Sequence, residues 1–422
     1  MTAARNTFAA AAHARAPGVV ALTGRLMAVP SPNPPGDVRA CAEAAAAILS
    51  DLAPAAEVGL HATSAEVMNV VARISGAGPG RVLAFNGHLD TYPVNAALPW
   101  TVDPLAGEVR GGRLYGRGSA DMKGGIAASI LAFALLAEHR AHWRGEAILT
   151  LAGDEETMGP LGTKWLIDNV PGLARADGVI IGDAGSPRVL RFGEKGFLWV
   201  ELEATGRAAH GVHVHPGENA IDRLRAALDA VVALRGLPVA APPAVTAAIA
   251  AAKPISEPLA GAGEAEVLGG ITVNIGQIAG GTAPNLVPAS ARAFCDIRLP
   301  VGVPCAAAEA ALHAGLDGRP GIIWRVLRRF EPNHTDPASD IVRLTQRAAE
   351  EVLGDAIAVN MRVGGSDARW FCMAGLPTVV YGPTPHNMGG ADEWMEIAEL
   401  EAVMRVHALA GFDLLAAPMH PA

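Results

Sequence analysis

The spacing of apolar positions changes repeatedly along the chain, and each change marks an element. Over 19–27 they recur at helical intervals. PSPNPPGD at 30–37 then stops the helix, and Asp37 is placed to cap a second one running to Leu52. MNVVARI at 68–74 and RVLAFNG at 81–87 are short apolar runs bounded by Gly and Pro, the pattern of buried strands. A helix over 122–140, a strand over 147–153, a helix over 161–169 and a strand over 178–182 follow in alternation. That order predicts an α/β unit, a mostly parallel sheet covered by helices.

From about residue 192 the texture changes. The pattern reads strand 197–204, then helix 218–234 with Ile221, Leu224, Leu228 and Val231 on one face, then strand 270–278. Strand 291–299, helix 306–316 and strand 322–330 repeat the order, which predicts a ferredoxin-like α+β unit. The Ala/Pro stretch 239–254 is its loosest part. A strand over 377–382 and a helix over 397–415 return to the first texture. The expected organisation is therefore a discontinuous domain, 1–191 with 332–422, interrupted by an inserted one, 192–331.

Composition narrows the choices. The 422 residues are enough for two domains. Half of them are hydrophobic and 18% charged, and much of the apolar share is alanine. The nearly uncharged run 124–137 falls short of the ~20 residues that span a bilayer. Glu138, His139 and Arg140 close it, so it reads as a buried helix. The opening MTAARNTFAAAAHARAPGVV has no sustained Leu-rich core and does not read as a signal peptide, so a cytoplasmic protein is expected. Cys41, Cys295, Cys305 and Cys372 lie far apart with no CxxC pair, which fits ordinary core residues. A net charge of -9 and a pI near 5.8 argue against nucleic acid or a membrane surface as partner, leaving small molecules.

The chemistry gathers in turns. GRGSADMKGG at 116–125 contains one carboxylate, Asp121, set between glycines where the backbone can push it into a cleft. NGHLDT at 86–91, GDEET at 153–157 and IGDAG at 181–185 close strand-like runs, and His386 comes late. In open α/β sheets, ligand-binding residues collect just beyond the carboxyl ends of the strands, where His88, Asp90, Glu155, Glu156 and Asp183 all fall. His88 and Asp90 share one side of an extended segment, so His88 can ligate a metal while Asp90 accepts its other N–H. Adjacent carboxylates point differently, which assigns Glu156 as ligand and Glu155 as general base. Singly, these are a surface histidine, a solvated acidic turn and a helix cap; together they predict a dinuclear hydrolase with Asp121 as the bridge. The glycine-rich GGRLYGRGSADMKGG and AGGTAPN match neither phosphate-binding pattern. His213 and His215 would share a strand face near His210, but no nearby carboxylate supports a third metal tract.

With those residues in hand, the chain resembles the zinc aminoacylase and carboxypeptidase family that includes acetylornithine deacetylase and succinyl-diaminopimelate desuccinylase. The likeness runs from PSPNPPG through NGHLDT, GRLYGRGSADMKGG, GDEETMG, GRAAHGVHVHPGENAI, NIGQIAGGTAPNLVPASARAFCDIR and GGSDARWF to HNMGGADEW. It implies a catalytic α/β domain, an inserted dimerisation or lid domain, a homodimer, and two divalent ions, zinc first with cobalt or manganese as alternatives. Carried over by motif, His88 and Asp183 hold one ion and Glu156 and His386 the other, with Asp121 bridging. Asp90 orients His88 and Glu155 is the base. His210 would reach the partner subunit's site and stabilise an oxyanion, while Asn285, Arg298 and Arg369 would help hold a substrate carboxylate. Two departures stand out: NMGGAD separates His386 from Glu393, and Asp183 stands where many members have Glu. The implied activity is hydrolysis of the amide bond of N-acyl amino acids or related small N-acyl compounds. A dipeptidase or carboxypeptidase is second. A catalytically silent metal-bound binder is third, disfavoured because a site that only binds has no need of Glu155.

Overall fold

A computed structural model describes residues 2–418. The most apolar strands lie at the centre of a nine-stranded sheet, where both faces are covered. Glu146–Ala152, Val82–His88, Gly178–Ile181 and Thr378–Val380 lie side by side in parallel. Outside them the direction reverses. Met68–Ser75 joins Glu146–Ala152 antiparallel and Glu57–Ala62 joins it by a short turn. On the other flank Val189–Glu194 runs antiparallel to Thr378–Val380. It then pairs in parallel with Ala358–Arg362 and antiparallel with Asn333–His334. The sheet is thus mixed, not mostly parallel: helical connections make the parallel centre, and the short 62–68 link permits only a hairpin.

The 124–137 run forms the helix Gly124–Glu138, with every residue up to Ala137 buried. The continuous stretch Ser119–Glu138 has the length and composition of a membrane span, yet 94% of its apolar window is buried inside the protein, packed on the closing helix Ile397–Ala416. Its first turn touches the sheet. A Cβ on Gly125 would stand 1.8 Å from the carbonyl oxygen of Gly182, so only glycine lets this helix approach the Asp183 turn. Asp37 lies one residue outside the cap position of helix Arg39–Leu52, which Val38 occupies, and spends its carboxylate on the Arg39 amide and guanidinium.

The second sheet has four antiparallel strands in the order Thr272–Gly280, Ser290–Leu299, Gly196–Thr205, Ile322–Phe330. Helices Ala220–Val232 and Cys305–Leu316 cover one face and close a separate core around Leu198, Val200, Leu224, Ile297 and Leu312. The chain crosses from sheet to sheet at Lys195 and returns at Glu331 and Pro332. The stretch expected to be loose is instead the helix Pro243–Ala260, whose Val245 and Ile249 join the main core. Alanine's helix preference and that burial outweigh the two internal prolines, Pro254 and Pro258.

His407, in the middle of the closing helix, is fully buried between the hydroxyl of Ser129 (3.2 Å) and the carbonyl of Tyr381 (2.8 Å). Burial pulls its pKa down to about 4 from an ordinary 6.5, so the folded state holds it neutral. Its contribution to stability is complete above pH 6.5 and is lost as pH falls towards 4, because the unfolded chain takes up a proton the folded one refuses. The advantage in urea midpoint of the wild type over His407→Gln should therefore shrink steadily across that window. A constant advantage would contradict a neutral buried imidazole.

Candidate metal centre

The strand Val82–His88 ends by delivering His88 into the crevice above the parallel strands. Its Nε2 lies 3.1 Å from Asp121 Oδ1, and the ligand atoms of His88, Asp121 and Asp183 fall within 4.8 Å of one another. His88 Nδ1 meets the Asp90 carbonyl at 2.8 Å, with the Asp90 carboxylate 3.6 Å away. The backbone thus takes the orienting role expected of the carboxylate. Nδ1 donating to that carbonyl leaves the Nε2 lone pair facing the cluster. The Asp90 carboxylate instead accepts from Asn33 (2.9 Å) and from the amides of Glu155 (3.2 Å) and Glu156 (3.0 Å), which fixes the GDEET turn.

That turn carries two carboxylates with different surroundings. Glu155 accepts from Arg369 Nη2 at 2.9 Å, and burial raises its pKa. Glu156 is pushed up to about 9, first by burial and then by the charge of Asp121, and its Oε1 is buried without a hydrogen-bond partner. Asp183 is held by the Ala184 amide and by Arg362 Nη1, both at 2.6 Å. Burial alone would keep His88 neutral, but the carboxylates of Asp121, Glu155 and Asp90 outweigh it and hold its pKa well above the ordinary value. So much negative charge gathered in a partly buried crevice calls for cations.

His386 lies outside the three-residue cluster, on a neighbouring loop. Its backbone pairs with Trp394 in both directions (3.0 and 3.1 Å), and its ring stacks on the Trp394 indole with centroids 3.7 Å apart. The loop is pinned to the Asp121 turn by a buried ion pair, Arg117 with Glu393. Arg117 also donates to the carbonyls of Gly389 (2.9 Å) and Gly390 (3.1 Å), and the Gly116 amide donates to the Glu393 carbonyl (2.7 Å).

The oxyanion-stabilising candidate His210 and the substrate-binding candidates are dispersed. His210 and Asn285 are exposed on the inserted unit, where Ala209–His210 pairs with Leu286–Val287 and the Gly211 amide donates to the Asn285 carbonyl. Arg298 is gripped by Asp296 beside it on the same strand face (2.8 and 3.0 Å). Arg369 is buried against Glu155 and lies over the Phe330 ring at 4.9 Å. Sequence reasoning missed Asn33, Arg117, Arg362 and Glu393. The available signal, for Arg362 alone, was an arginine closing the strand-like run AVNMR, since a buried guanidinium needs a carboxylate partner.

The residues fit divalent cations. Imidazole and carboxylate donors converge from separate strand ends, and a buried carboxylate oxygen on Glu156 stands without a partner.

The family model described as peptidase family M20/M25/M40 matches residues 84–410. The chain is similar to the succinyl-diaminopimelate desuccinylase of Methylorubrum extorquens, at 29% identity over 356 residues, 81% of this chain and 84% of that protein. It is also similar to the enzyme of the same name from a Methylobacterium species, at 32% over 352 residues, 81% of this chain and 82% of that protein. The fold matches the M20 family metallo-carboxypeptidase Sso-CP2 from Sulfolobus solfataricus with a TM-score of 0.75 at 20% identity, covering 94% of this chain and 98% of that one. These likenesses agree with the one carried by the motifs. The chain belongs to peptidase family M20/M25/M40 and is a metal-dependent hydrolase of amide bonds.

Proposed function

We propose that the protein hydrolyses the amide bond of N-acyl amino acids or related small N-acyl compounds, with two divalent ions, zinc first and cobalt or manganese as alternatives. The observation that carries this reading is Glu155, a carboxylate with 13% of its side chain exposed, set beside the cluster and held by Arg369 without belonging to the three converging ligands. In this reading His88 and Asp183 would hold one ion and Glu156 and His386 the other, with Asp121 shared by both. Bound there, such ions supply Lewis acidity and lower the pKa of water.

The chain's own residues then divide the work. Glu155 takes a proton from the attacking water and passes it to the leaving amine. Arg369 fixes the Glu155 carboxylate, and Asp90 fixes the turn that carries it. Residues 1–191 and 332–422 form the catalytic domain, and 192–331 the dimerisation or lid domain of a homodimer. His210 would steady the oxyanion in the neighbouring subunit's site. The exposed ribbon that bears His210 supports that role. A cytoplasmic location fits the four free cysteines, since thiols persist in reducing compartments.

Glu155→Gln should keep its metal and its fold while kcat falls by about 10²- to 10⁴-fold, measured on zinc-loaded protein with an N-acyl amino acid panel. Unchanged turnover would remove Glu155 as base, and turnover of dipeptides alone would favour a dipeptidase. Arg117→Met should cut the zinc content by about one equivalent, because the His386 loop loses its tether to Asp121. Glu393→Gln tests the same tether from its other end. Full metal content in both variants, measured by elemental analysis of folded protein, would contradict it.

A further inference from the structure

The helices of the inserted unit cover one face of its sheet, leaving the other open. That open face is amphipathic. A depression of about 510 Å³ on it is lined by Trp199, Phe294, Leu327, Gln277 and Asp296, among others. Trp199 spends its N–H on Asp296 Oδ1 (3.0 Å), so the rest of the indole is presented as apolar surface. Leu327, at a bulge in the edge strand, is 43% exposed.

This shelf borders the catalytic turn. Arg328 is the cross-strand neighbour of Trp199, and its Nη1 donates to the Thr157 carbonyl at 2.7 Å, one residue beyond Glu156. A second link runs through rings: Trp199 meets Phe197 (5.5 Å), Phe197 meets Phe330 (5.2 Å), and Arg369, the partner of Glu155, lies over Phe330.

The arginines on the face have partners of their own, two of them carboxylates. Arg298 is held by Asp296, Arg325 by Glu201 and Arg328 by the Thr157 carbonyl. Arg292 lies over the Phe294 ring at 5.8 Å. The charged side chain among the residues lining the depression is Asp296, so a substrate rich in carboxylates would meet an anion there, whereas an apolar group would meet Trp199, Phe294 and Leu327.

We propose that this shelf seats the apolar part of the substrate, so that the enzyme prefers N-acyl amino acids with one bulky aliphatic or aromatic group over those with several carboxylates. The proposal rests on the amide-hydrolase reading above and adds a substrate class to it. A shelf with open edges accepts a range of apolar shapes, because packing on aromatic rings is weakly directional.

The test is steady-state kinetics of the zinc-loaded protein on N-acetyl-L-phenylalanine, N-acetyl-L-leucine, N-acetylglycine and N-acetyl-L-glutamate. The expected kcat/KM is at least about tenfold higher for the phenylalanine and leucine compounds than for the glutamate one. In Trp199→Ala the ratio for N-acetyl-L-phenylalanine over N-acetylglycine should fall about tenfold, mainly through KM. Leu327→Glu, at a half-exposed position that tolerates a charge, should act in the same direction if Trp199→Ala does not fold. An equal or greater preference for the glutamate compound, or an unchanged ratio in the folded variants, overturns the shelf while leaving the hydrolase intact. If no compound is hydrolysed, the N-acetyl amino acid form of the hydrolase reading fails and calorimetry with N-acetyl-L-phenylalanine decides the shelf alone. Binding that weakens in Leu327→Glu supports it; equal binding or none overturns it.

Discussion

Like-charge repulsion in a partly buried crevice is the constraint around which this molecule is built. Asp183 is buried and Asp121, Glu155 and Glu156 are half-buried beside it, and burial drives the pKa of Glu156 to about 9. Such an arrangement persists only if positive charge is supplied. The protein supplies part of it. Arg362 takes one oxygen of Asp183, and Arg369 takes one of Glu155. The arrangement left over, an imidazole nitrogen and carboxylate oxygens converging within 4.8 Å, is the complement of a divalent cation.

The fold exists to hold that arrangement against its own repulsion. Parallel strands deliver His88 and the turns after Ala152 and Ile181 to one edge. The buried helix Gly124–Glu138 presses its start against the Asp183 turn through Gly125 and Gly182, and the Asp121 turn immediately precedes it. Asp90, anchored by Asn33, ties down both amides of the acidic pair. Anchoring of this kind fixes where Glu155 stands beside the His88, Asp121 and Asp183 cluster. Arg328 reaches the Thr157 carbonyl and so links the open face of the second sheet to the GDEET turn.

The turns after Val82–His88 and Gly178–Ile181 were legible in the sequence because periodicity marks where a strand ends, whereas grouping His88 with Asp183 around Asp121 drew on the resemblance of the motifs. The six elements of the inserted unit were legible for the same reason. Pairing direction was not, since it depends on partners far away along the chain, and the antiparallel flanks appear only when the strands are assembled. The helix Pro243–Ala260 was hidden because its prolines read as breakers, while the surface it packs on belongs to another part of the chain. Side-chain partners were least legible. Nothing local says that Arg369 meets Glu155, that Asp296 already occupies Arg298, or that the Asp90 carbonyl, not its carboxylate, meets His88.

The central claim is that the buried carboxylates are a receptacle for two cations. Anomalous diffraction at the zinc edge, from crystals of the zinc-loaded protein, tests it most directly. The account predicts two strong peaks flanking Asp121, one against His88 and Asp183 and one against Glu156 and His386. A single peak, or peaks remote from Asp121, would contradict it.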